Sequence, residues 1–185
     1  YRSEGAPRGE EELERQVALA VAAAESVLDR PIESVLDVGC GEARWQPALR
    51  RLRPGASYLG IDPSPYAVAR FGEERNVMSG ALGDLDGFAF EEAFDLVVCA
   101  DVLHYVEAED LRVGVDSLAC LVGGVAVLEV FAVEDEAEGD REGFIDRPAA
   151  WYRRVFADAG LVPIGLQMYV HHETAEDLDA LDRPD

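Results

Sequence analysis

The stretch Val35-Leu36-Asp37-Val38-Gly39-Cys40-Gly41-Glu42-Ala43 decides the fold of this chain. Its first half contains branched apolar side chains and one carboxylate, a pattern that predicts a buried strand. Two glycines, at positions 39 and 41, follow closely. We expect a tight loop there and a helix that begins near Glu42, whose first N–H groups lack backbone partners. A strand, a glycine loop and a helix in this order are typical of the nucleotide-binding end of a doubly wound α/β sheet.

The spacing of the glycines indicates which nucleotide is bound. The dinucleotide fingerprint G-x-G-x-x-G would require a third glycine at position 44, where Arg44 stands, so a nicotinamide-dependent oxidoreductase is the weakest hypothesis. The stretch instead resembles the D-x-G-x-G-x-G motif of class I S-adenosylmethionine-dependent methyltransferases, with Ala43 in place of the last glycine. The resemblance implies that four residues of the stretch bind this cofactor: Asp37, Gly39, Cys40 and Gly41.

A second carboxylate follows the next predicted strand, Ser57 to Ile61. Asp62 would lie at the carboxyl end of that strand, where it can accept hydrogen bonds from both hydroxyls of a ribose. The segment Gly60-Ile-Asp-Pro-Ser64 is similar to the ribose-binding motif of the methyltransferase family, which implies cofactor contacts from Asp62 and Pro63. An aspartate before a helix is also a common cap, and this alternative stays open.

A third acidic position lies in Gly83-Asp84-Leu85, after a short predicted strand at Asn76 to Ser79. In the methyltransferase family an acidic residue here accepts a hydrogen bond from the adenine amino group, and a neighbouring apolar residue packs on the ring. The resemblance therefore implies that Asp84 and Leu85 bind the adenine. A plain loop carboxylate is the alternative for Asp84, because Asp86-Gly87 is also typical of a turn.

The apolar run Phe94 to Ala100 predicts a central parallel strand. With the residues that follow, up to Val106, it resembles the fourth-strand motif of the family, which implies that Ala100 and Asp101 face the methionine part of the cofactor. His104 is then a candidate general base, since its ordinary pKa suits proton abstraction near neutral pH. Tyr105 is a candidate substrate-facing aromatic residue. Both residues could instead serve packing.

Other chemistry is weakly indicated. Glu129, on a predicted strand, could face the pocket or cap the strand. Cys40 and Cys99 are expected to be small buried side chains and not nucleophiles. We expect no metal site, because the adjacent histidines of His171-His172-Glu173 would point to opposite faces of a strand.

The remaining pattern predicts a helix over Glu10 to Asp29 and another that Gly123-Gly124 interrupts before a strand at Val125 to Phe131. A helix that opens at Pro148 precedes a strand at Leu161 to Val170. The family usually ends its sheet with two antiparallel strands, and only this one is recognisable, so we expect the closing strand to be missing, cut off or unrecognisable from the sequence.

The predicted fold class is thus α/β: a doubly wound, mostly parallel sheet of the Rossmann-like methyltransferase type, with helices on both faces. We expect a single domain, in which residues 1–30 form a mobile arm and a helix that covers the cofactor mouth or merely packs, 33–170 the core, and 171–185 an acidic tail. The acidic connection 134–147 is expected to be either a lid or disordered.

Composition limits the partners of the chain. The 185 residues carry a formal net charge of −22, and all 16 basic residues are arginine. Such a surface repels phosphate backbones and anionic lipid, so we expect no direct nucleic-acid or membrane partner, although another subunit could deliver an RNA. Three cysteines argue against a disulfide framework and for the cytoplasm.

The sequence therefore predicts a cytoplasmic methyltransferase that moves a methyl group from S-adenosylmethionine to a small, not strongly anionic molecule, leaving S-adenosylhomocysteine. The alternative is a non-catalytic subunit with the same fold that acts as a scaffold or regulatory module in a larger complex. The missing closing strand and the acidic surface would favour that alternative, and an open sheet edge would favour a homodimer.

Overall fold

A computed structural model describes residues 9–135 and 143–178. Residues 1–8, which include most of the predicted arm, lie outside the described residues, as do 136–142 of the predicted lid and the last seven residues of the predicted tail. None of the helices in the described part combines the length and the apolar character that are needed to cross a bilayer.

Six α-helices alternate with seven strands in the described residues. The helices are α1 (Glu10–Leu28), α2 (Trp45–Leu52), α3 (Pro65–Arg75), α4 (Ala108–Ala119), α5 (Ala149–Asp158) and α6 (His172–Glu176). The strands are β1 (Ser34–Val38), β2 (Ser57–Asp62), β3 (Val77–Ser79), β4 (Phe94–Ala100), β5 (Val122–Glu129), β6 (Leu161–Gly165) and β7 (Met168–His171).

All the strands join one sheet in the order β3-β2-β1-β4-β5-β7-β6, in which the pairs among β1 to β5 are parallel. The chain therefore starts at the centre of the sheet with β1, builds outward to β3, and returns to place β4 on the other side of β1. Ligands of such sheets bind at the carboxyl ends of the two strands where the direction of winding reverses, here β1 and β4.

Two apolar layers cover the sheet, and each layer follows from the helical periodicity of the sequence. On one face, α1 and α2 pack with Phe71 of α3; the buried stripe of α1 consists of Leu13, Val17, Ala20, Val21 and Ala24. On the other face α4 and α5 pack, with side chains such as Leu111, Val115 and Phe156 buried. The predicted doubly wound fold with helices on both faces is confirmed.

The helix after the glycine loop begins later than predicted. We expected it near Glu42, and α2 begins at Trp45. The reason is the backbone of the loop, since Gly39, Gly41 and Ala43 all have positive φ angles, of 71°, 52° and 52°. A residue in the left-handed conformation cannot continue a right-handed helix, so the helix can begin only after Ala43.

The two glycines that were expected to break a helix lie inside a strand. Gly123 and Gly124 belong to β5, which begins at Val122. A Cβ atom on Gly124 would lie 2.4 Å from the carbonyl oxygen of Asp95 and 3.0 Å from Leu28. The glycine therefore allows α1 and β4 to approach β5 closely, as glycine in a strand interior often does.

The closing strand is present, so the expectations that it would be missing or cut off are wrong and the expectation that it is unrecognisable from the sequence holds. The single strand predicted over Leu161 to Val170 is two strands, β6 and β7, that pair antiparallel with each other, and β7 also pairs antiparallel with β5. The turn between them puts Leu166 and Gln167 at φ angles of 52° and 59°. Such a turn usually contains Asn-Gly or Asp-Gly, and without that signal the hairpin could not be recognised from the sequence.

Candidate cofactor and acceptor site

The glycine loop touches the loop after β4, so the two predicted motifs meet at the reversal point of the sheet. A Cβ atom on Gly39 would lie 2.3 Å from the Cγ2 atom of Val102, closer than any side chain allows. A Cβ atom on Gly41 would meet nothing within 4 Å. Gly39 is therefore required for packing and for its positive φ, whereas Gly41 leaves a bare backbone beside open space.

Asp62 connects β2 to the glycine loop. One of its carboxylate oxygens, Oδ2, accepts a hydrogen bond from the amide of Gly41 at 2.7 Å, and the other, Oδ1, accepts one from the amide of Ser64 at 2.9 Å. The side chain is buried, at 7% exposure, while the following Pro63 is exposed. Each carboxylate oxygen has a second lone pair, so Asp62 can fix the loop and still accept from a ribose.

Asp37 lies beneath the loop as a second buried carboxylate. Its Oδ2 atom accepts a hydrogen bond of 2.7 Å from the hydroxyl of Tyr58. The pKa of Asp37 is raised to about 7, chiefly by burial and also by the charge of Asp62, against the hydrogen bond from Tyr58, which lowers it. The two carboxyl groups place negative charge at the bottom of the site, and this charge suits a cationic ligand and disfavours a pyrophosphate.

Cys40 has a packing role. Its Sγ atom lies 2.6 Å from the position that a Cβ atom on Gly60 would occupy, so the thiol fills the space that this glycine leaves open. Burial raises the pKa of Cys40 above its ordinary value, and the pKa of the fully buried Cys99 rises for the same reason. Neither cysteine is a thiolate at neutral pH, which agrees with the prediction that they are not nucleophiles.

The predicted adenine pair lies in a 3₁₀ turn, Leu82–Gly87. Asp84 is exposed and its Oδ2 atom accepts a hydrogen bond of 2.8 Å from the amide of Ala81. Leu85 is only 2% exposed and packs among the side chains of α4. The alternative role of Asp84 as a loop carboxylate is thus realised in part, and the adenine contacts of both residues stay a prediction.

The fourth-strand motif ends in a sharp turn. Ala100 is half-buried at the end of β4, and Asp101 is exposed with a positive φ of 61°. The amide of Asp101 donates to the carbonyl of Glu129 at 3.0 Å, so the turn is tied to β5. Aspartate tolerates this left-handed conformation better than most residues do. The next residue, Val102, lies against Gly39 of the glycine loop, and the cofactor contacts of Ala100 and Asp101 stay a prediction.

His104 is buried, at 1% exposure, in a cluster of aromatic rings. Its ring lies 4.4 Å from that of Tyr105, 5.6 Å from Phe131 and 4.1 Å from Phe144, between centroids. Within the described residues its Nδ1 atom has no hydrogen-bond partner. Burial lowers the pKa of His104 to about 4, so the expectation of an ordinary pKa is wrong and the imidazole is neutral at physiological pH.

Tyr105 and Glu129 differ sharply in accessibility. Tyr105 is 50% exposed, and its role as a substrate-facing residue stays a prediction. Glu129 is 1% exposed, and its Oε2 atom accepts a hydrogen bond of 3.0 Å from Gln16 on α1. This contact brings the first helix to the carboxyl end of β5, beside the turn at Asp101.

The residues of a later connection that pack against His104 were not identified from the sequence. Phe144 and Arg147 belong to the connection before α5, and both lie against the loop after β4. In the sequence, only the position of Phe144 shortly before Pro148 could have suggested this contact.

The histidine pair at 171 and 172 lies at the end of β7, with ring centroids 4.2 Å apart. Among the described residues no cluster of three or more His, Cys, Asp or Glu side chains could hold a metal.

The sheet order and the loops at its reversal point are those of the class I methyltransferase fold. Residues 36–123 match the family model described as "Methyltransferase domain". This match supports the resemblance to class I S-adenosylmethionine-dependent methyltransferases that the sequence motifs indicated, and solved methyltransferase structures have the same fold.

Curated relatives and solved structures add to this comparison. "Nodulation protein S" of Rhizobium tropici is 30% identical over 125 residues, which are 65% of this chain and 51% of that protein. The chain spans about half or less of the length of the curated relatives it matches. The sugar N-methyltransferase KedS8 of Streptoalloteichus sp. ATCC 53650 superposes with a TM-score of 0.66 at 18% identity, over 92% of this chain and 96% of KedS8.

A second solved structure is matched by this chain over almost its whole length. CalS10, an amino pentose methyltransferase of Micromonospora echinaspora solved with S-adenosylmethionine bound, gives a TM-score of 0.63 at 17% identity, over 91% of this chain and 98% of CalS10. At such identities the two structures establish the fold of this chain.

Proposed function

We propose that this chain is a cytoplasmic S-adenosylmethionine-dependent methyltransferase whose acceptor is a small molecule without strong negative charge. The observation that carries the proposal is the hydrogen bond from the Gly41 amide to Asp62. It holds the glycine loop, with its bare backbone, beside a carboxylate that can accept hydrogen bonds from the hydroxyls of a ribose. The methyltransferase-domain match supports the reaction. Three free cysteines, Cys40, Cys99 and Cys120, support a reducing compartment.

The residues present fit this cofactor. Gly41 offers an open backbone, Asp62 keeps lone pairs for a ribose, and Asp84 follows β3, whose carboxyl end lies beside that of β2, and so is placed for the adenine. The carboxyl groups of Asp37 and Asp62 lie at the bottom of the site, where their negative charge suits a cationic sulfonium better than the pyrophosphate of NAD. When bound, S-adenosylmethionine would supply an electrophilic methyl group, and CalS10, a structural neighbour, was solved with it.

The main task of the chain in methyl transfer is to hold the donor and the acceptor aligned. Good alignment is worth up to about 7–11 kcal/mol in well-oriented systems. Asp62 and the glycine loop would fix the donor, while Tyr105 and the rings around His104 would form an apolar wall for the acceptor. His104, whose Nδ1 atom has no hydrogen-bond partner among the described residues, would accept a proton there only when an acceptor hydroxyl, thiol or ammonium loses one.

The acceptor and the partners follow from charge and from similarity. The net charge of −22 disfavours a strongly anionic acceptor, nucleic acid and an anionic membrane. The two structural neighbours are named for methylation of a sugar and of an amino pentose, which supports a small acceptor. The scaffold alternative loses one of its reasons, because the closing strand is present. A homodimer stays a prediction.

Calorimetric titration of the full chain with S-adenosylmethionine, S-adenosylhomocysteine and NAD tests the proposal. We expect both sulfur ligands to bind at about micromolar Kd and NAD not to bind. Binding of NAD alone would overturn the proposal in favour of an oxidoreductase. Absence of all three signals would also overturn it, and the search would then turn to a protein partner.

A further inference from the structure

We propose that Arg147 is a positioning residue that holds the segment Gly143–Arg147, called the strap below, across the loop that carries His104 and Tyr105. The inference rests on the proposed function, since it is the candidate acceptor wall that the strap covers. Three contacts join the strap to this loop, and they come from a side chain, a backbone amide and an aromatic ring.

The guanidinium of Arg147 makes the first contact. It donates from Nη2 to the carbonyl of Val106 at 2.7 Å and from Nη1 to the carbonyl of Leu103 at 3.4 Å. These two carbonyls belong to the residues directly before and directly after the pair His104-Tyr105 in the sequence. A planar guanidinium with donors in a fixed fork can engage both at once, which a lysine, as a point charge, does less well.

The burial of Arg147 indicates that this contact is specific. The residue is only 6% exposed, and the polar partners of its guanidinium in the described residues are these carbonyls rather than carboxylates. A buried cation costs several kcal/mol unless hydrogen bonds and ring faces compensate. Trp151 and Tyr152 of α5 supply such faces, with centroids 4.7 and 6.0 Å from the guanidinium carbon.

The other two contacts fall on His104 itself. The amide of Ile145 donates to the carbonyl of His104 at 2.8 Å. The ring of Phe144 lies 4.1 Å from the imidazole and 4.9 Å from the ring of Tyr105. The strap therefore packs directly on His104, whose Nδ1 atom has no hydrogen-bond partner within the described residues.

Two readouts test the role of Arg147 without a cofactor or an acceptor. The first is hydrogen exchange of the Ile145 amide. The second is the NMR titration of His104, which is one of only three histidines and can be assigned with H104Q. In R147M we expect exchange at Ile145 to accelerate about tenfold or more as the strap opens locally, and His104 to titrate closer to an ordinary histidine pKa.

The chain offers a matched control. Arg112 also stacks on Trp151, at 5.2 Å, but its side chain donates to Ala108 on its own helix and not to the loop. R112M should leave both readouts unchanged. R147K should shift both in the same direction as R147M but less, and it keeps the test decisive if R147M does not fold. Readouts in R147M or R147K that match R112M would overturn the role.

The outcomes separate this inference from the proposed function. If wild-type protein fails to bind S-adenosylmethionine, the proposed function fails while the strap measurements still decide the role of Arg147. If R147M binds S-adenosylmethionine as the wild type does and its strap is unchanged, only the positioning role fails.

Discussion

The amide of Gly41 and the carboxylate of Asp62 are joined by a hydrogen bond of 2.7 Å, although the residues are 21 positions apart in the sequence. The bond makes one rigid unit of the glycine loop and the end of β2. Asp62 also accepts from the amide of Ser64, so one side chain sets both the loop after β1 and the start of α3.

We expect D62A to weaken binding of S-adenosylmethionine by about 10- to 100-fold, the factor that one or two hydrogen bonds to a charged group are worth. Calorimetry measures the affinity, and circular dichroism checks that the fold is kept. D158A, at an exposed position of α5, is the matched control and should bind normally. Wild-type affinity in a folded D62A protein would remove Asp62 from the cofactor site.

The two glycines of the loop should differ in their response to alanine. G39A places a Cβ atom 2.3 Å from Val102. It should therefore lose about 1–2 kcal/mol for the left-handed backbone and about 1–3 kcal/mol more for overlap. G41A meets open space and should lose only the backbone contribution. Urea denaturation measures both, and equal losses would contradict the close approach of the loops after β1 and β4.

Asp37 should make the protein less stable as the pH rises. Its pKa is raised from 3.8 to about 7, so between these values the folded chain holds a proton that the unfolded chain has released. The contribution of Asp37 to the free energy of unfolding is thus largest below about pH 4, falls as the pH rises to about 7, and is constant above that.

D37N removes this slope, because asparagine does not ionise and its amide oxygen can still accept the hydrogen bond from Tyr58. We therefore expect D37N to gain stability relative to the wild type as the pH is raised from about 4 to about 7. Urea denaturation at several pH values gives the difference. A difference that does not change with pH would show that Asp37 titrates normally.

Asp95 should have the opposite effect. Burial opposes ionisation, but hydrogen bonds from Arg30, at 3.0 and 2.7 Å, and from the amides of Glu33 and Ser34 outweigh it and lower the pKa of Asp95. The stability from this pair is therefore complete above the unfolded pKa of 3.8 and is lost as the pH falls below it.

At neutral pH we expect D95N to lower the free energy of unfolding by about 1–3 kcal/mol, since it weakens several hydrogen bonds to a charged acceptor at the start of β4. The loss should shrink as the pH is lowered toward 3, where the wild type loses the same interaction. D158N, at an exposed aspartate, controls for the change of charge. A loss that is equal at both pH values would mean that the carboxylate charge does not matter.

Much of the fold could be predicted because the signals are local. The apolar run from Phe94 to Ala100 and the stripe of α1 are written in consecutive residues, and both predicted elements are present. The hairpin of β6 and β7 escaped prediction because Leu166 and Gln167 adopt left-handed angles without a turn signal. Tertiary pairing with β5 stabilises that turn, and propensity alone does not.

The sequence by itself determined the order of the elements as far as β5 and pointed to one class of site, because the spacing of Asp37, Gly39, Gly41 and Asp62 follows from one strand-helix-strand unit. Only the tertiary structure decided the state of His104. Its burial depends on Phe131 and Phe144, which lie far along the chain and reach it across the carboxyl end of the sheet. Desolvation arises from all neighbours in space, so no local pattern could predict that its pKa falls to about 4 or that Arg147 holds the cover in place.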